Sequence, residues 1–256
     1  MAFENEKEIL KLQNRLRDLA DKSFQQNLFT FTGFLGLSEQ DIFWRMEEKL
    51  RYAGYTLYGG REAADRKQVR FGNGEELGYE VPFPIVCVHI KPLNRKFADD
   101  LSHRDVLGAL MNLGIERSTI GDILVGDREA YLFCLDAISE YICQNLEQVR
   151  HTHVICSVTQ DCAEVPAEEP LRQSIQVSSP RIDALLAKVY HKSRSDCLEL
   201  FRTGKVFVNG RLCENNARLL KDGETVNARG YGKFVYTGQA RETKKGKLNV
   251  EIAIFR

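Results

Sequence analysis

Basic side chains set at the ends of short apolar segments are the first chemistry this sequence offers. Arg181, Lys192, Arg194, Lys205 and Arg211 all fall between residues 181 and 211. Arginine forks and the free N–H groups of helix starts suit phosphate oxygens. Ser193 stands directly before Arg194, and Lys233 follows in a later apolar run. Together they form the set expected to hold a phosphate backbone. A second basic group, Arg61, Arg66 and Lys67 with Arg70 nearby, follows the Gly59-Gly60 pair, and Arg104 and Arg117 add charge further on. For Arg61, Arg66, Lys67, Arg104 and Arg117, secondary RNA contacts stand beside the plainer reading of solvated charge. Tyr131 and Phe133 lie two residues apart, on one face of a strand, as base-stacking aromatics of RNA-recognition modules do. The paired first strand offers Cys87 and His89 and no aromatic, so core or interdomain packing is the favoured role for both rings.

Other groups offer less. His151 and His153 share a strand face, but no cysteine or carboxylate completes a metal site at local spacing. Asp99, Asp100 and His103 read as a charged loop before a helix rather than acid–base machinery. No P-loop is present, and no G-x-G-x-x-G follows a strand. Neither metal nor cofactor is expected.

The elements that would position these groups follow from periodicity and caps. Ile9, Leu12, Leu16 and Leu19 are spaced for a helix, which Gly33 and Gly36 close off, and a second helix is expected from an N-cap at Ser38 to Tyr52. Residues 84–91 read as an apolar strand, Ser102 and Asp105 as the capping box of a helix, and 120–125 and 128–134 as strands about Gly126-Asp127. A helix over 136–148, with Ile138, Tyr141, Ile142 and Val149 inward, and a strand over 151–159 complete a β-α-β-β-α-β order. Residues 160–180, with Glu164, Pro166, Glu168, Glu169, Pro170 and Pro180, read as loop or as a flanked strand ending at a domain boundary. Ile182, Leu185, Leu186 and Val189 then form a one-sided stripe. Ser193 and Asp196 open a second helix with Cys197, Leu198 and Phe201 inward, Gly204 caps it, and Asn209-Gly210 turns a hairpin.

The balance of 36 Lys and Arg against 36 Asp and Glu conceals a split. Residues 181–256 hold 16 basic and 8 acidic side chains, a net of +8, which leaves −8 on residues 1–180. A basic module on an acidic body is where an anionic partner is sought. Cys87, Cys134, Cys143, Cys156, Cys162, Cys197 and Cys213 are odd in number and contain no Cys-x-x-Cys pair, which suits reduced buried thiols. The acidic start, Met1 to Glu8, is unlike a targeting signal, and no apolar run approaches the ~18–20 residues of a membrane span. A soluble cytoplasmic protein is expected.

R-I-D at 181–183, S-R-S at 193–195, G-K-V-F-V-N-G-R at 204–211 and D-G-E-T-V at 222–226 resemble the S-four RNA-binding domain. With G-G-R-E-A-A-D-R-K at 59–67 and H-R-D-V-L-G-A-L-M-N-L-G-I-E-R at 103–117, followed by G-D-I-L-V at 121–125, nearly the whole chain resembles the bacterial YlmH family. It departs from the family pattern at Asp65, where that pattern has Glu. The resemblance implies an α+β protein in three parts. These are a helical N-terminal domain (1–80), a ferredoxin-like, RRM-like middle domain (81–179) and an S-four domain with a C-terminal β extension (180–256). It implies a non-enzymatic factor, a monomer, that binds structured RNA such as rRNA and tRNA on the large ribosomal subunit. Ribosome-associated quality control of stalled nascent chains, other quality-control factors as partners and a link to cell division are further implications. The alternative is an RNA-modifying enzyme, of pseudouridine synthase or methyltransferase type, with its active site in residues 80–160. Tyrosyl-tRNA synthetases also carry the S-four module, but their H-x-G-H and K-M-S-K-S-like motifs are missing here.

Overall fold

The computed structural model describes residues 2–159, 170–238, 241–242 and 246–255. Cys162, Glu164, Pro166, Glu168 and Glu169 lie outside the described residues. The chain divides into two compact units, Met1–Pro166 and Ala167–Arg256, and is built of helices and several antiparallel sheets.

In the first unit, α1 (Ala2–Gln26) packs on α2 (Leu37–Leu50) and on a three-stranded antiparallel sheet. Its strands are β1 (Thr30–Phe31), β2 (Tyr55–Tyr58) and β3 (Gln68–Phe71), in the order β1-β3-β2. Leu16, Leu19, Phe43, Leu50, Val69 and Phe71 form the core between them. The expected helical N-terminal domain also contains a sheet, whose strands of two to four residues are too short to show a period of two. The cap of α2 is Gly36 rather than Ser38: the Glu39 carboxylate accepts from the Gly36 N–H at 2.6 Å. A short helix α3 (Gly74–Leu77) leads on to the middle of the chain.

There the β-α-β-β-α-β order is present as β4 (Ile85–Pro92), α4 (His103–Asn112), β5 (Ile120–Val125), β6 (Ala130–Leu135), α5 (Asp136–Asn145) and β8 (Thr152–Thr159), with a short β7 (Gln148–Val149) before the last strand. The antiparallel sheet runs β5-β6-β4-β8-β7. Ser102 and Asp105 make the reciprocal cap of α4. Val88, Ile90, Val106, Leu110, Leu132 and Ile142 fill the space between the helices and one sheet face. Tyr141, expected inward, is 48% exposed and reaches the Leu113 carbonyl with its hydroxyl at 3.3 Å. Val149 belongs to β7, because α5 ends at Asn145.

The other sheet face pairs Cys87 with Phe133 and His89 with Tyr131. Both aromatics are buried, at 1% for Phe133 and 3% for Tyr131. The loop 59–67 sits on this face. Gly60 has φ +92°, and a Cβ there would lie 2.3 Å from the Phe133 ring. Only glycine meets both demands.

The second unit contains β9 (Leu171–Val177), α6 (Ile182–Val189), α7 (Arg194–Arg202), β10 (Val206–Val208), β11 (Arg211–Leu212), β12 (Thr225–Ala228), β13 (Gly232–Tyr236), β14 (Arg241–Glu242) and β15 (Leu248–Phe255). Its sheet runs β11-β10-β12-β13-β15-β14, and β9 pairs with β15. Residues 171–177 thus belong to the C-terminal sheet and not to the middle domain. Nothing local marks this, since the partner strand lies some seventy residues away. The stripe of α6, together with Cys197, Leu200 and Phe201 of α7, covers that sheet. Leu198, expected inward, is exposed, and Leu200 takes its place.

Candidate RNA interface

The cations of the C-terminal unit are held at its surface by caps and turns. Ser193 Oγ accepts from the Asp196 N–H at 3.1 Å, and the Asp196 carboxylate accepts from the Ser193 N–H at 3.3 Å. Hydrogen bonds from the Ser193 side chain and then its backbone N–H hold the Asp196 carboxyl below its ordinary range. They fix the start of α7, where Arg194 is exposed as the first helical residue. Arg181 caps α6 and forks onto Asp183 at 3.1 and 2.7 Å. Burial pushes Asp183 up, but the Arg181 fork and the Ala184 N–H outweigh it and leave the carboxyl below its usual range. Lys205 is exposed after Gly204, and Arg211 is exposed after the Asn209-Gly210 turn, where both turn residues have positive φ (51° and 77°). Lys233 departs from this set. It is 9% exposed, and its Nζ lies 5.2 Å from the Phe255 ring centroid, so the structure does not bring it to the surface with the others.

A groove of about 340 Å³ runs beside α6. Lys188, Lys192, Arg194 and Lys247 line it with Gln176, Val177 and Ser178, and Ala184 and Ala187 leave its floor open. Among the described residues that line it, the charged ones are these four cations. Lys188 and Lys247 were not singled out in the sequence. The four-residue spacing of Ala184 and Lys188 was a usable signal, because such positions share a helix face.

The basic residues of the first unit are used differently. Arg66 donates from Nε to the Ile120 carbonyl (2.8 Å) and from Nη2 to the carbonyls of Phe34 (2.9 Å) and Arg117 (3.0 Å). The backbone N–H groups of Asp65 and Arg66 donate to the Asp122 carboxylate at 2.9 and 3.0 Å, and Arg61 lies 3.6 Å from it. Arg117 donates to the Ile120 carbonyl at 2.9 Å, and burial beside Arg66 lowers it to about 10. Arg61, Arg66 and Arg117 thus tie the loop 59–67 and the chain at Phe34 to β5, instead of forming a phosphate-facing patch. Arg70 lies 4.6 Å from the Phe29 ring centroid and donates to Glu80. Lys67 is half-buried and pairs through its backbone with Leu35. Arg104 is exposed on the first turn of α4.

Of the candidate acid–base groups, Asp99 and Asp100 make local contacts. The Asp99 N–H donates to Thr152 Oγ1 at 2.8 Å, the Asp99 carboxylate accepts from the His151 N–H at 3.3 Å, and Asp100 lies 3.5 Å from Arg128. Burial and the neighbouring Arg117 hold His103 below its ordinary value. Among the described residues no three His, Cys, Asp or Glu side chains group as metal ligands do. None of the six described cysteines is in a disulfide, and burial pushes the Cys134 and Cys156 thiols up to about 12.

Residues 80–161 match the family described as the putative RNA-binding domain in YlmH. Over 234 residues, 88% of this chain and 87% of the other, the protein is 26% identical to the ribosome-associated protein quality control protein P2 of Bacillus subtilis (strain 168). A solved structure of the cell division protein ylmH from Streptococcus pneumoniae superposes with a TM-score of 0.49 at 18% identity, covering 62% of this chain and 95% of that one. The chain is therefore similar to YlmH proteins, and its residues 80–161 match the putative RNA-binding domain of that family.

Proposed function

We propose that this protein is a non-enzymatic RNA-binding factor that grips structured RNA with its C-terminal unit. The observation that carries this is the groove lined by Lys188, Lys192, Arg194 and Lys247. Four cations at one groove neutralise consecutive phosphates, whose released counterions make binding steeply salt-dependent. The two-helix and Asn-Gly hairpin arrangement supports reading this unit as an S-four domain, and the β5-β6-β4-β8 order supports a ferredoxin-like middle domain. A rigid scaffold that reads backbone and shape suits folded RNA. The name of the Bacillus relative supports a ribosomal setting. We therefore assign rRNA and tRNA on the large subunit as the RNA, nascent-chain quality control as the process and the cytoplasm as the place. The cell-division link rests on the sequence resemblance alone.

Crosslinking in cells followed by sequencing of the bound RNA tests the assignment. Recovery of large-subunit rRNA together with tRNA is the expected result, and recovery of messenger RNA alone contradicts it. Filter binding of the separate units adds the location: residues 167–256 are expected to bind structured RNA far more tightly than residues 1–166.

A further inference from the structure

RNA that is only gripped by its phosphates is read for shape and not for unpaired bases, so an exposed aromatic beside the cations changes what can be recognised. Such a ring is present. Tyr231 stands at the tip between β12 and β13, between Gly230 (φ +86°) and Gly232 (φ +106°), and is 42% exposed. The Lys192 Nζ lies 4.9 Å from its centroid. Lys192 also lines the basic groove, so the groove and the ring share a residue. Tyr190 steadies the tip: its hydroxyl donates to the Gly232 carbonyl at 2.9 Å, and its ring lies 5.7 Å from Tyr231. A large aromatic on a glycine-flanked tip gives the fold little packing, since the ring belongs to no core cluster among the described residues.

The comparison within the molecule sharpens the point. The middle sheet carries two adjacent aromatics suited to stacking, but Tyr131 and Phe133 are buried. Tyr231 is the exposed aromatic of the C-terminal unit among its described residues. Stacking of a base on an aromatic ring tolerates any base and needs only that the base be unpaired. From this we infer that Tyr231 is a stacking platform for an unpaired nucleotide whose flanking phosphates are held by Lys192 and the groove. The preferred ligand is then a folded RNA with a bulged or looped-out base, not a continuous duplex. The inference rests on the RNA-binding reading and specifies its substrate.

The test uses the full chain and two probes: a blunt RNA duplex, and the same duplex with one bulged 2-aminopurine. The unaltered protein is expected to bind the bulged RNA more tightly and to quench its fluorescence. Tyr231→Ala should weaken binding to the bulged RNA roughly 5- to 100-fold, leave duplex binding unchanged and abolish the quenching. Tyr231→Phe should keep both the preference and the quenching, and Tyr231→Leu, which fills similar space, serves if the alanine variant melts early. Lys192→Ala should weaken both RNAs alike. A preference retained by the alanine or leucine variant overturns the inference, as does its loss in Tyr231→Phe. Equal binding of both probes by the unaltered protein overturns the inference and leaves RNA binding standing. Failure to bind either probe overturns the functional reading, and the inference with it.

Discussion

Arg66 and Arg194 carry the same guanidinium and stand in equally basic stretches of sequence, yet the molecule uses them in opposite ways. Arg66 meets the carbonyls of Phe34, Ile120 and Arg117 and lies beside an Asp122 that already accepts from two backbone N–H groups. Arg194 projects into water at the start of a capped helix. Tyr131 and Tyr231 repeat the contrast, one buried against His89 with ring centroids 4.1 Å apart and the other exposed beside Lys192. An arginine whose donors are filled by internal carbonyls joins chain segments, whereas one left in solvent beside other cations remains available to an anion. The difference lies in long-range packing, and residue type alone does not contain it.

The largest expected effect comes from breaking the joining side. Arg66→Ala leaves three backbone carbonyls without this donor. Removing one member of a buried charged network costs about 3–5 kcal/mol. Thermal melts should show the first unit destabilised, while RNA affinity measured well below the melt stays unchanged. A fall in RNA affinity with no change in melting would move Arg66 to the binding side of the comparison. Phe201→Ala, which empties part of the C-terminal core at a ring 7% exposed, is expected to cost a similar ~3–5 kcal/mol in the second unit.

Gly60→Ala comes next. The added Cβ must displace the Phe133 ring or the loop 59–67, and it meets a positive φ as well. About 1–3 kcal/mol is expected, read by denaturant titration, with faster hydrogen exchange in β6 as the local sign. Smaller again is Ser193→Ala, which removes the side-chain cap of α7 for about 1 kcal/mol. Because that cap fixes Arg194, RNA affinity should fall with it, unlike the first two changes in the first unit.

The smallest effect is a pH dependence. Asp183 and Asp196 both have folded values below their ordinary range. A carboxyl lowered on folding contributes stability that is present above its unfolded value and lost as pH falls through the folded one. The C-terminal unit should therefore lose stability as pH drops below about 4. Asp183→Asn with Asp196→Asn should flatten that limb of the stability–pH curve, and an unaltered curve would remove both carboxyls from the account.

Much of this was legible where the signals are local. The reciprocal caps at Ser102 and Ser193, the α6 stripe and the Asn209-Gly210 turn all lie within a few residues and appear as expected. The misreadings of β9 and of α7 depend on distant partners. β9 has no pattern of its own until β15 pairs with it, and Leu198 and Leu200 are equally apolar until the sheet chooses one face of α7. The candidate RNA surface was half legible for the same reason. Arg194, Lys205 and Arg211 are exposed as the motif implies, whereas Lys233 folds in over Phe255 and Lys247 reaches the groove from the chain just before β15.

The central claim, that surface cations of the C-terminal unit hold RNA and do little for the fold, is tested most directly by Arg194→Ala combined with Lys205→Ala in the full chain. Melting and the dependence of RNA affinity on salt are measured side by side. Both side chains are exposed, so stability should stay within about ±0.5 kcal/mol per site. RNA affinity should fall, and the slope of log affinity against log salt should shrink by roughly one to two units. A variant that melts normally and binds RNA with unchanged affinity and unchanged slope would contradict the account.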